Sequence, residues 1–254
     1  MPKEVITVTT DFGDAFALAQ LELVIAALNG EARIVNVSNT VSPFSVIEGA
    51  FVLSKVYRLA PPGSIHLGVV DPGVGSERSG LLIRSRNHWF IGPNNGLLYP
   101  AARDDGIIQA YRLEEDRIAP IRSNTFHGRD VFARAAGLLT RGVRLEEFCV
   151  PLETTEIIPL EFSPYQVVHV DPYGNIKLSS EATNFSAGDR VLVGSSVFEA
   201  VIPFCKTFED VGPGELLIYE GSHQTLEVAQ RLGSAVEKFQ VKTGDVLSVE
   251  RLED

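Results

Sequence analysis

The chain has 254 residues, of which 44% are hydrophobic, so it is long enough for one large or two small domains with sizeable cores. Its formal net charge of −11, without any basic run, argues against nucleic acid or an anionic membrane as the main partner, because phosphate binding depends on clustered Lys and Arg. The first residues have the pattern of neither a signal peptide nor a membrane span, and we expect a cytoplasmic protein. Cys149 and Cys205 are too few for a disulfide framework or a cysteine-rich zinc site, and we interpret both as buried apolar residues.

Predicted strands and helices alternate through the first part of the chain. The β-branched run at residues 5–10 predicts a strand that ends at Asp11, and the pattern at 15–28 predicts a helix. The next predicted elements are strand 32–37, helix 45–57 and strand 64–70. Apolar strands that alternate with helices predict a mostly parallel sheet buried on both faces, whose ligands lie beyond the carboxyl ends of the strands. The loops that begin at Asp11 and Asp71 both follow such ends.

The later part of the chain changes in character. Before the change come a predicted hairpin at 81–84 and 89–91, a turn at 93–98 that leads into a helix, and a helix at 129–139. From residue 166 onward, short β-rich runs are separated by Gly, Pro, Asp and Ser turns, which predicts a small all-β barrel. We therefore expect an α/β domain at 1–158, a linker at 159–165 and a β-barrel domain at 166–254.

The loop Asp71-Pro72-Gly73-Val74-Gly75 is a candidate functional motif. It is not a phosphate loop, because it lacks the Gly-Lys-Ser/Thr ending, and by itself it reads as a surface turn. Arg78 follows seven residues after Asp71 and can fold back onto it as a charge-assisted pair. Such a pair would orient the carboxylate for chemistry.

His127 is the second candidate, at the start of the predicted helix 129–139. A lone histidine is more often structural than catalytic, but this one lies beside Gly128 and directly precedes Arg129 and Asp130. The other histidines show no metal-ligand spacing, and we expect no metal site. A carboxylate, a guanidinium and an imidazole are sufficient to position a water molecule and move its proton.

Other candidates keep two interpretations each. Asp11 either caps the following helix or accepts hydrogen bonds from the two hydroxyls of a ribose. The run Asp171-Pro172-Tyr173-Gly174-Asn175 is a hairpin turn that can also bind the charged amino-acid end of a ligand and stack on a base. By themselves, Phe44 and Phe208 are most simply core residues.

Together these runs resemble the S-adenosyl-L-methionine (SAM) hydroxide adenosyltransferase family, the SAM hydrolases related to fluorinase and chlorinase. The matching runs span nearly the whole chain, at residues 10–13, 69–78, 93–98, 125–132, 171–175 and 221–229. The resemblance implies an N-terminal α/β/α domain, a C-terminal β-barrel and no cofactor. It also implies a homotrimer in which SAM lies between the N-terminal domain of one subunit and the C-terminal domain of a neighbour.

The reaction that the resemblance implies is attack of water on the 5′-carbon of SAM, which yields adenosine and L-methionine. An Asp-Arg-His set serves the water in these enzymes, and it falls on Asp71, Arg78 and His127, the residues selected above. Asp11 falls at the ribose hydroxyls. The other implied substrate contacts are Phe44, Asn95, Phe126, Tyr173 and Phe208, with Asp171, Asn175 and Ser222 toward the methionine end.

Two other functions remain open at this point: a SAM or nucleoside binding protein with little turnover, and a halogenase-type enzyme that substitutes at the 5′-carbon. The halogenating relatives carry an uncharged residue where Asp71 stands, and a carboxylate beside a halide would repel it, so water is the favoured nucleophile. The sequence departs from the family pattern at 13–16, where the family has a second aspartate, and at 20–23, where it has small residues and a lysine. It also departs at 176–179, where a Thr-Asn pair is common. It departs again at His223, where the halogenases have an arginine.

Overall fold

The computed structural model describes residues 5–253. These residues form two compact units, and the boundary between the units falls between Leu160 and Glu161. Each unit has its own sheet and its own apolar core. The division falls within the segment where the sequence predicts a linker. Across residues 5–253, no helix combines the length and the apolar character that a membrane span requires.

The first unit contains a mixed seven-stranded sheet. Its strands are β1 (Val5–Thr10), β2 (Arg33–Ser38), β3 (Ile65–Val69), β4 (Gly80–Ser85), β5 (Trp89–Pro93), β6 (Ile107–Leu113) and β7 (Cys149–Leu152). Their order is β2-β1-β3-β5-β4-β6-β7. Strands β2, β1, β3 and β5 pair in parallel, whereas β4, β6 and β7 pair antiparallel.

The expectation of a mostly parallel sheet is therefore wrong for half of this sheet. The predicted hairpin of β4 and β5 is confirmed, and a short hairpin turn forces its two strands to be antiparallel. Strands β6 and β7 then extend the sheet from β4 with the same antiparallel pairing. The sequence analysis predicted neither of these last two strands.

Two pairs of helices pack in this unit, α1 with α5 and α2 with α3. The helices are α1 (Ala15–Leu28), α2 (Val46–Val56), α3 (Tyr99–Asp105), α4 (Glu115–Ile118) and α5 (Ala133–Thr140). Helix α1 begins at the cap Asp14, whose side chain accepts a hydrogen bond from the backbone N–H of Ala17. It buries Leu18, Leu21 and Ile25 in the core around β1 and β3. Short 3₁₀ helices span Tyr57–Leu59, Leu145–Glu147 and Thr154–Glu156.

A π-helical turn at Gly128–Phe132 precedes α5 and continues directly into it. The backbone N–H of Ala133 donates to the carbonyl of Gly128, which is the wider hydrogen bond of a π turn. Single π turns in α-helices occur frequently at functional sites. His127 is the residue immediately before this turn.

The second unit contains a mixed sheet that curls into a half-barrel. Its strands are β8 (Val167–Val170), β9 (Ile176–Glu181), β10 (Arg190–Gly194), β11 (Glu199–Cys205), β12 (Leu216–Glu220), β13 (Thr225–Gln230) and β14 (Ser248–Arg251). Their order is β14-β10-β11-β12-β13-β9-β8, and the pairing of β11 with β12 is parallel. A short helix α6 (Ala235–Phe239) and a 3₁₀ turn at Phe208–Asp210 complete the unit.

Each unit contains one cysteine, Cys149 in β7 and Cys205 in β11. Both cysteines are free and buried, which confirms their interpretation as buried apolar residues.

Candidate active site

The loop after β3 folds back on itself. Within it the backbone N–H of Val74 donates to the carbonyl of Asp71, and that of Ser76 donates to the carbonyl of Gly73. These consecutive turns return Arg78 to the residue at which the loop begins. The sequence motif is thus a compact reversal of the chain rather than an extended surface loop.

Arg78 and Asp71 form a buried ion pair, as the sequence predicts. Arg78 Nε lies 3.1 and 3.0 Å from the two carboxylate oxygens, and Nη2 lies 2.6 Å from Oδ2. The side chains are only 10% and 6% exposed. A bidentate contact of this kind fixes both the position and the plane of the carboxylate.

His127 is hydrogen-bonded to the same guanidinium, with 2.9 Å between its Nδ1 and Arg78 Nη2. Because a guanidinium has only donors, Nδ1 must accept, and the neutral imidazole carries its proton on Nε2. Burial lowers the pKa of His127; Glu115 opposes this shift, and Arg78 and Arg122 reinforce it. His127 is therefore neutral at neutral pH, with an N–H group as the donor on its second nitrogen.

Gly75 allows the two functional loops to meet. Its φ is +78°, and a Cβ atom at this position would lie 2.5 Å from the carbonyl oxygen of Asn124. Any side chain would therefore push the Asp71 loop away from the segment that leads to His127.

Glu115 is a member of this network that the sequence analysis missed. Its Oε1 lies 3.3 Å from Arg78 Nη1 and 3.6 Å from His127 Nδ1, and its Oε2 lies 3.3 Å from Arg122 Nε. No motif surrounds Glu115 in the sequence. It reaches the site because β6, one of the strands that was not predicted, ends directly before α4.

A small cleft of about 160 Å³ lies over these groups. Five of the predicted site residues line it: Asp11, Phe44, Asp71, Phe126 and His127. The other lining residues are Phe12, Val69, Val74, Thr125 and Gly128. Asn95 does not line this cleft; its side chain donates to the carbonyl of Val70 and so holds the end of β3.

Asp11 and Phe44 interact at the rim of this cleft. Asp11 is not the cap of α1, since Asp14 occupies that position. Instead, its Oδ2 accepts the backbone N–H of Phe44 at 2.8 Å, and burial raises the pKa of this carboxyl. The interpretation of Phe44 as a core residue is wrong, because its side chain is 72% exposed. Its φ of +66° is a strained conformation for a bulky residue, of a kind that clusters at functional sites.

The second unit has a larger cleft of about 880 Å³. All the predicted site residues of this unit line it: Asp171, Tyr173, Asn175, Phe208 and Ser222. The lining also includes Lys177, Glu209, Tyr219, Glu227, Gln230, Arg231, Leu232 and Gly233.

The turn at residues 171–175 shapes one wall of this cleft. Asp171 Oδ1 accepts the backbone N–H groups of Tyr173 and Asn175, and its Oδ2 accepts Asn175 Nδ2. The interpretation of this segment as a turn is thereby confirmed, and the turn presents Tyr173 to solvent. Phe208 also lines the cleft and packs against Tyr219, with 5.1 Å between the ring centroids. The interpretation of Phe208 as a core residue is wrong, because its side chain is 41% exposed.

A buried ion pair that the sequence analysis did not identify lies in the same cleft. Lys177 Nζ is 2.5 Å from Glu227 Oε1, and the hydroxyl of Tyr219 donates to Oε2 at 2.6 Å. Burial and the neighbouring carboxylate both raise the pKa of Tyr219, so its hydroxyl keeps its proton.

Over residues 5–253, no three His, Cys, Asp or Glu side chains form a group that could hold a metal ion.

Two family models match the chain. One, described as the SAM hydroxide adenosyltransferase N-terminal domain, matches residues 6–149, and the C-terminal domain model of the same family matches residues 165–248. The chain belongs to the SAM hydroxide adenosyltransferase family. The resemblance of the sequence motifs to this family is thus confirmed.

Individual relatives of the chain are similar over nearly their whole length. A Salinispora arenicola protein named (R)-S-adenosyl-L-methionine hydrolase is 34% identical over 257 residues, covering 96% of this chain and 97% of the relative. An Actinopolyspora mzabensis protein named Fluorinase is 26% identical over 279 residues, covering 92% and 93%. A crystal structure of an uncharacterized conserved protein from Thermotoga maritima has a TM-score of 0.87 and 29% identity, and the match covers 97% of this chain and 100% of that one.

One departure from the SAM hydroxide adenosyltransferase pattern lies in the second cleft, and a second lies next to it. Lys177, within the divergent segment 176–179, forms the buried pair with Glu227. His223 follows Ser222, which lines this cleft. The divergent segment 13–16 directly follows Asp11 and Phe12, which line the first cleft, whereas no departure falls on Asp71 or His127.

Proposed function

We propose that this chain hydrolyses SAM to adenosine and L-methionine. The proposal rests on one arrangement: Asp71, Arg78 and His127 are hydrogen-bonded together at a cleft that follows a buried strand, in a chain of this family. Relatives named (R)-S-adenosyl-L-methionine hydrolase, which are about one third identical to the chain, support it.

The chemistry of a sulfonium substrate explains which groups are needed. As water attacks the 5′-carbon, the C5′–O bond forms and the C5′–S bond breaks with its electron pair on sulfur. Methionine leaves as a neutral thioether, so no acid is needed to protonate it. The demand falls on the nucleophile, because bulk water has a pKa of about 15.7.

The proposed roles follow from the hydrogen bonds of the site. The Nε2–H group of neutral His127 donates to the water oxygen, and a carboxylate oxygen of Asp71 accepts a hydrogen of the same water. Arg78 holds both partners at fixed positions. As the new bond forms, Asp71 takes the proton and later releases it to solvent. Alignment of the water with the C5′–S bond supplies much of the acceleration.

The remaining site residues are proposed to bind the substrate. Asp11 accepts the ribose hydroxyls, and aromatic side chains contact the adenosine, since stacking on adenine requires only a flat face. The aromatic set is Phe44, Phe126, Tyr173 and Phe208. Asp171, Asn175 and Ser222 contact the methionine end, and Asn95 supports the loop beside the reacting carbon.

We propose further that the protein is a cytoplasmic homotrimer without a cofactor. In this assembly the N-terminal α/β/α domain of one subunit and the C-terminal β-barrel domain of a neighbour would enclose SAM. Each unit carries predicted substrate contacts in its own cleft, which supports a site of two parts. Light scattering coupled to size exclusion tests the assembly, and a monomer that turns over SAM would refute it.

The reaction is tested by incubating the protein with SAM in H₂¹⁸O, with and without added chloride or fluoride. Because the relatives' name specifies the (R) form, the (R) and (S) sulfonium forms are assayed separately. We expect ¹⁸O in the 5′-hydroxyl of adenosine in every buffer, and no product from His127→Ala. A halogenated nucleoside would assign the chain to 5′-halogenation instead, and SAM binding without product would assign it to a binding protein.

A further inference from the structure

Arg78 is shared between two carboxylates and one imidazole. Its Nε and Nη2 contact Asp71, Nη2 also contacts His127, and Nη1 contacts Glu115. The guanidinium is planar, so a contact at Nη1 restricts rotation of the whole group and thereby the direction of Nη2. Arg78 also packs on the ring of Phe132, at 5.2 Å from its centroid, which fixes its face but not its rotation within that plane.

Glu115 is itself held in place. Its Oε2 is paired with Arg122 Nε at 3.3 Å, and its side chain is 19% exposed. The charged groups that face His127 are two carboxylates, Asp71 and Glu115, and two guanidiniums, Arg78 and Arg122. Glu115 balances these charges, since without it the imidazole would face two cations and one anion.

We propose that Glu115 is a positioning residue of this active site, acting through Arg78 and His127 rather than by contact with the substrate. It anchors the guanidinium at Nη1, the nitrogen that Asp71 does not contact, and so helps to hold Nη2 where it reaches both Asp71 and His127. It also offsets the positive charge of Arg78 and Arg122 at the imidazole. This role rests on the proposed hydrolysis, because it serves the water that Asp71 and His127 hold.

The test compares variants at two adjacent carboxylates, Glu115 and Asp116. Glu115→Gln keeps the size of the side chain but removes its charge, and it leaves one acceptor oxygen where the carboxylate offers one to each arginine. Asp116→Asn makes the same change at a neighbouring carboxylate that is 89% exposed and pairs with Arg122 but not with Arg78. Each variant is assayed for kcat, KM and the pH dependence of kcat. The imidazole of His127 is titrated by NMR, with His127→Gln used to assign its resonance.

For Glu115→Gln we expect kcat to fall about tenfold with KM within about twofold, because a misplaced group costs rate rather than binding. The NMR midpoint of His127 and the acidic limb of the pH profile should both move to lower pH, since a negative charge that stabilises the imidazolium is gone. Asp116→Asn should retain the wild-type kcat and midpoint.

Wild-type kcat and an unshifted His127 midpoint in Glu115→Gln would overturn the proposal. Equal losses of kcat in Glu115→Gln and Asp116→Asn would also overturn it, because the effect would then be one of general surface charge. If the wild-type protein makes no adenosine, the proposed hydrolysis fails, and the NMR midpoints still decide whether Glu115 acts on His127.

Discussion

The clefts of the two units differ in size and in how their side chains are held. The cleft of the first unit, about 160 Å³, lies over a hydrogen-bonded set in which each charged group has a partner. The cleft of the second unit, about 880 Å³, has an aromatic wall at Phe208 and Tyr219 and a buried ion pair. Fixed polar groups in a small space suit catalysis, whereas a wide apolar surface suits binding. We therefore expect substitutions of Asp71 and His127 in the first cleft to change kcat, and substitutions in the second cleft to change KM or stability.

The largest effect is expected for Asp71→Asn. The amide can still accept from Arg78 but cannot take a proton from water, so kcat should fall by about 10³-fold with little change in KM. Steady-state kinetics with SAM measures both constants, and calorimetric SAM binding serves as a control for folding. A variant with full kcat and a raised KM would reverse the roles assigned to the two clefts.

Lys177→Met tests the ion pair of the second cleft. Glu227 is 3% exposed. Without the lysine, its carboxylate stays buried, and among residues 5–253 the hydroxyl of Tyr219 is its one remaining side-chain donor. Breaking a buried pair costs about 3 kcal/mol of unfolding free energy, which urea denaturation measures. The double variant Lys177→Met with Glu227→Gln should recover most of this loss, because no charge then remains buried. An unchanged stability in Lys177→Met would show that the pair is not structural.

Phe208→Ala should raise KM for SAM by up to about tenfold and leave kcat unchanged, since an aromatic contact contributes about 1 kcal/mol beyond its buried area. Tyr173→Phe is the matched control, because it keeps an aromatic face in the same cleft and should leave KM near the wild-type value. A loss of kcat in Phe208→Ala without a change in KM would contradict the assignment of catalysis to the first cleft and binding to the second.

Local contacts of the site were predictable from the sequence, and contacts between distant segments were not. Asp71 and Arg78 are seven residues apart, so a loop motif alone suggested their pairing. Glu115 lies 37 residues from Arg78, and its approach depends on the antiparallel strands β4 and β6, of which β6 was not predicted. No periodicity or spacing encodes that contact.

The same distinction holds for the fold. The helix α1 was predicted with its observed bounds, Ala15–Leu28, because its apolar pattern and its start after Asp14 are both local. The exposure of Phe44 was missed because its positive φ is stabilised by a hydrogen bond to Asp11, 33 residues away. Phe208 was placed wrongly for a related reason, since its ring contact is with Tyr219 of a strand that the local sequence pattern does not place beside it.

The smallest expected effect is a loss of stability of the first unit in mild acid. Measuring it distinguishes loss of activity from loss of the fold. His66 is fully buried beside His88; its Nδ1 is hydrogen-bonded to Thr7, and its ring stacks on Phe90. Burial, reinforced by His88, lowers the pKa of His66 from 6.5 to about 3. The unfolded chain then binds more protons than the folded one between these values, so stability is lost as the pH falls from 6.5 toward 3.

One pH unit below 6.5, the pKa of His66 in the unfolded chain, the free energy of unfolding is lower by about 1 kcal/mol. Urea midpoints measured at successive pH values should decrease accordingly. His66→Phe removes the titrating ring, and its slope should be shallower than that of the wild type. His127 titrates in the same unit, and its protonation would remove the acceptor for Arg78. Activity that declines in His66→Phe at the same pH as in the wild type, while the unfolding slope flattens, would assign the acid limb of catalysis to His127 rather than to unfolding. If His66→Phe shifts the pH dependence of activity together with that of unfolding, the acid limb of catalysis is due to the buried pair His66 and His88.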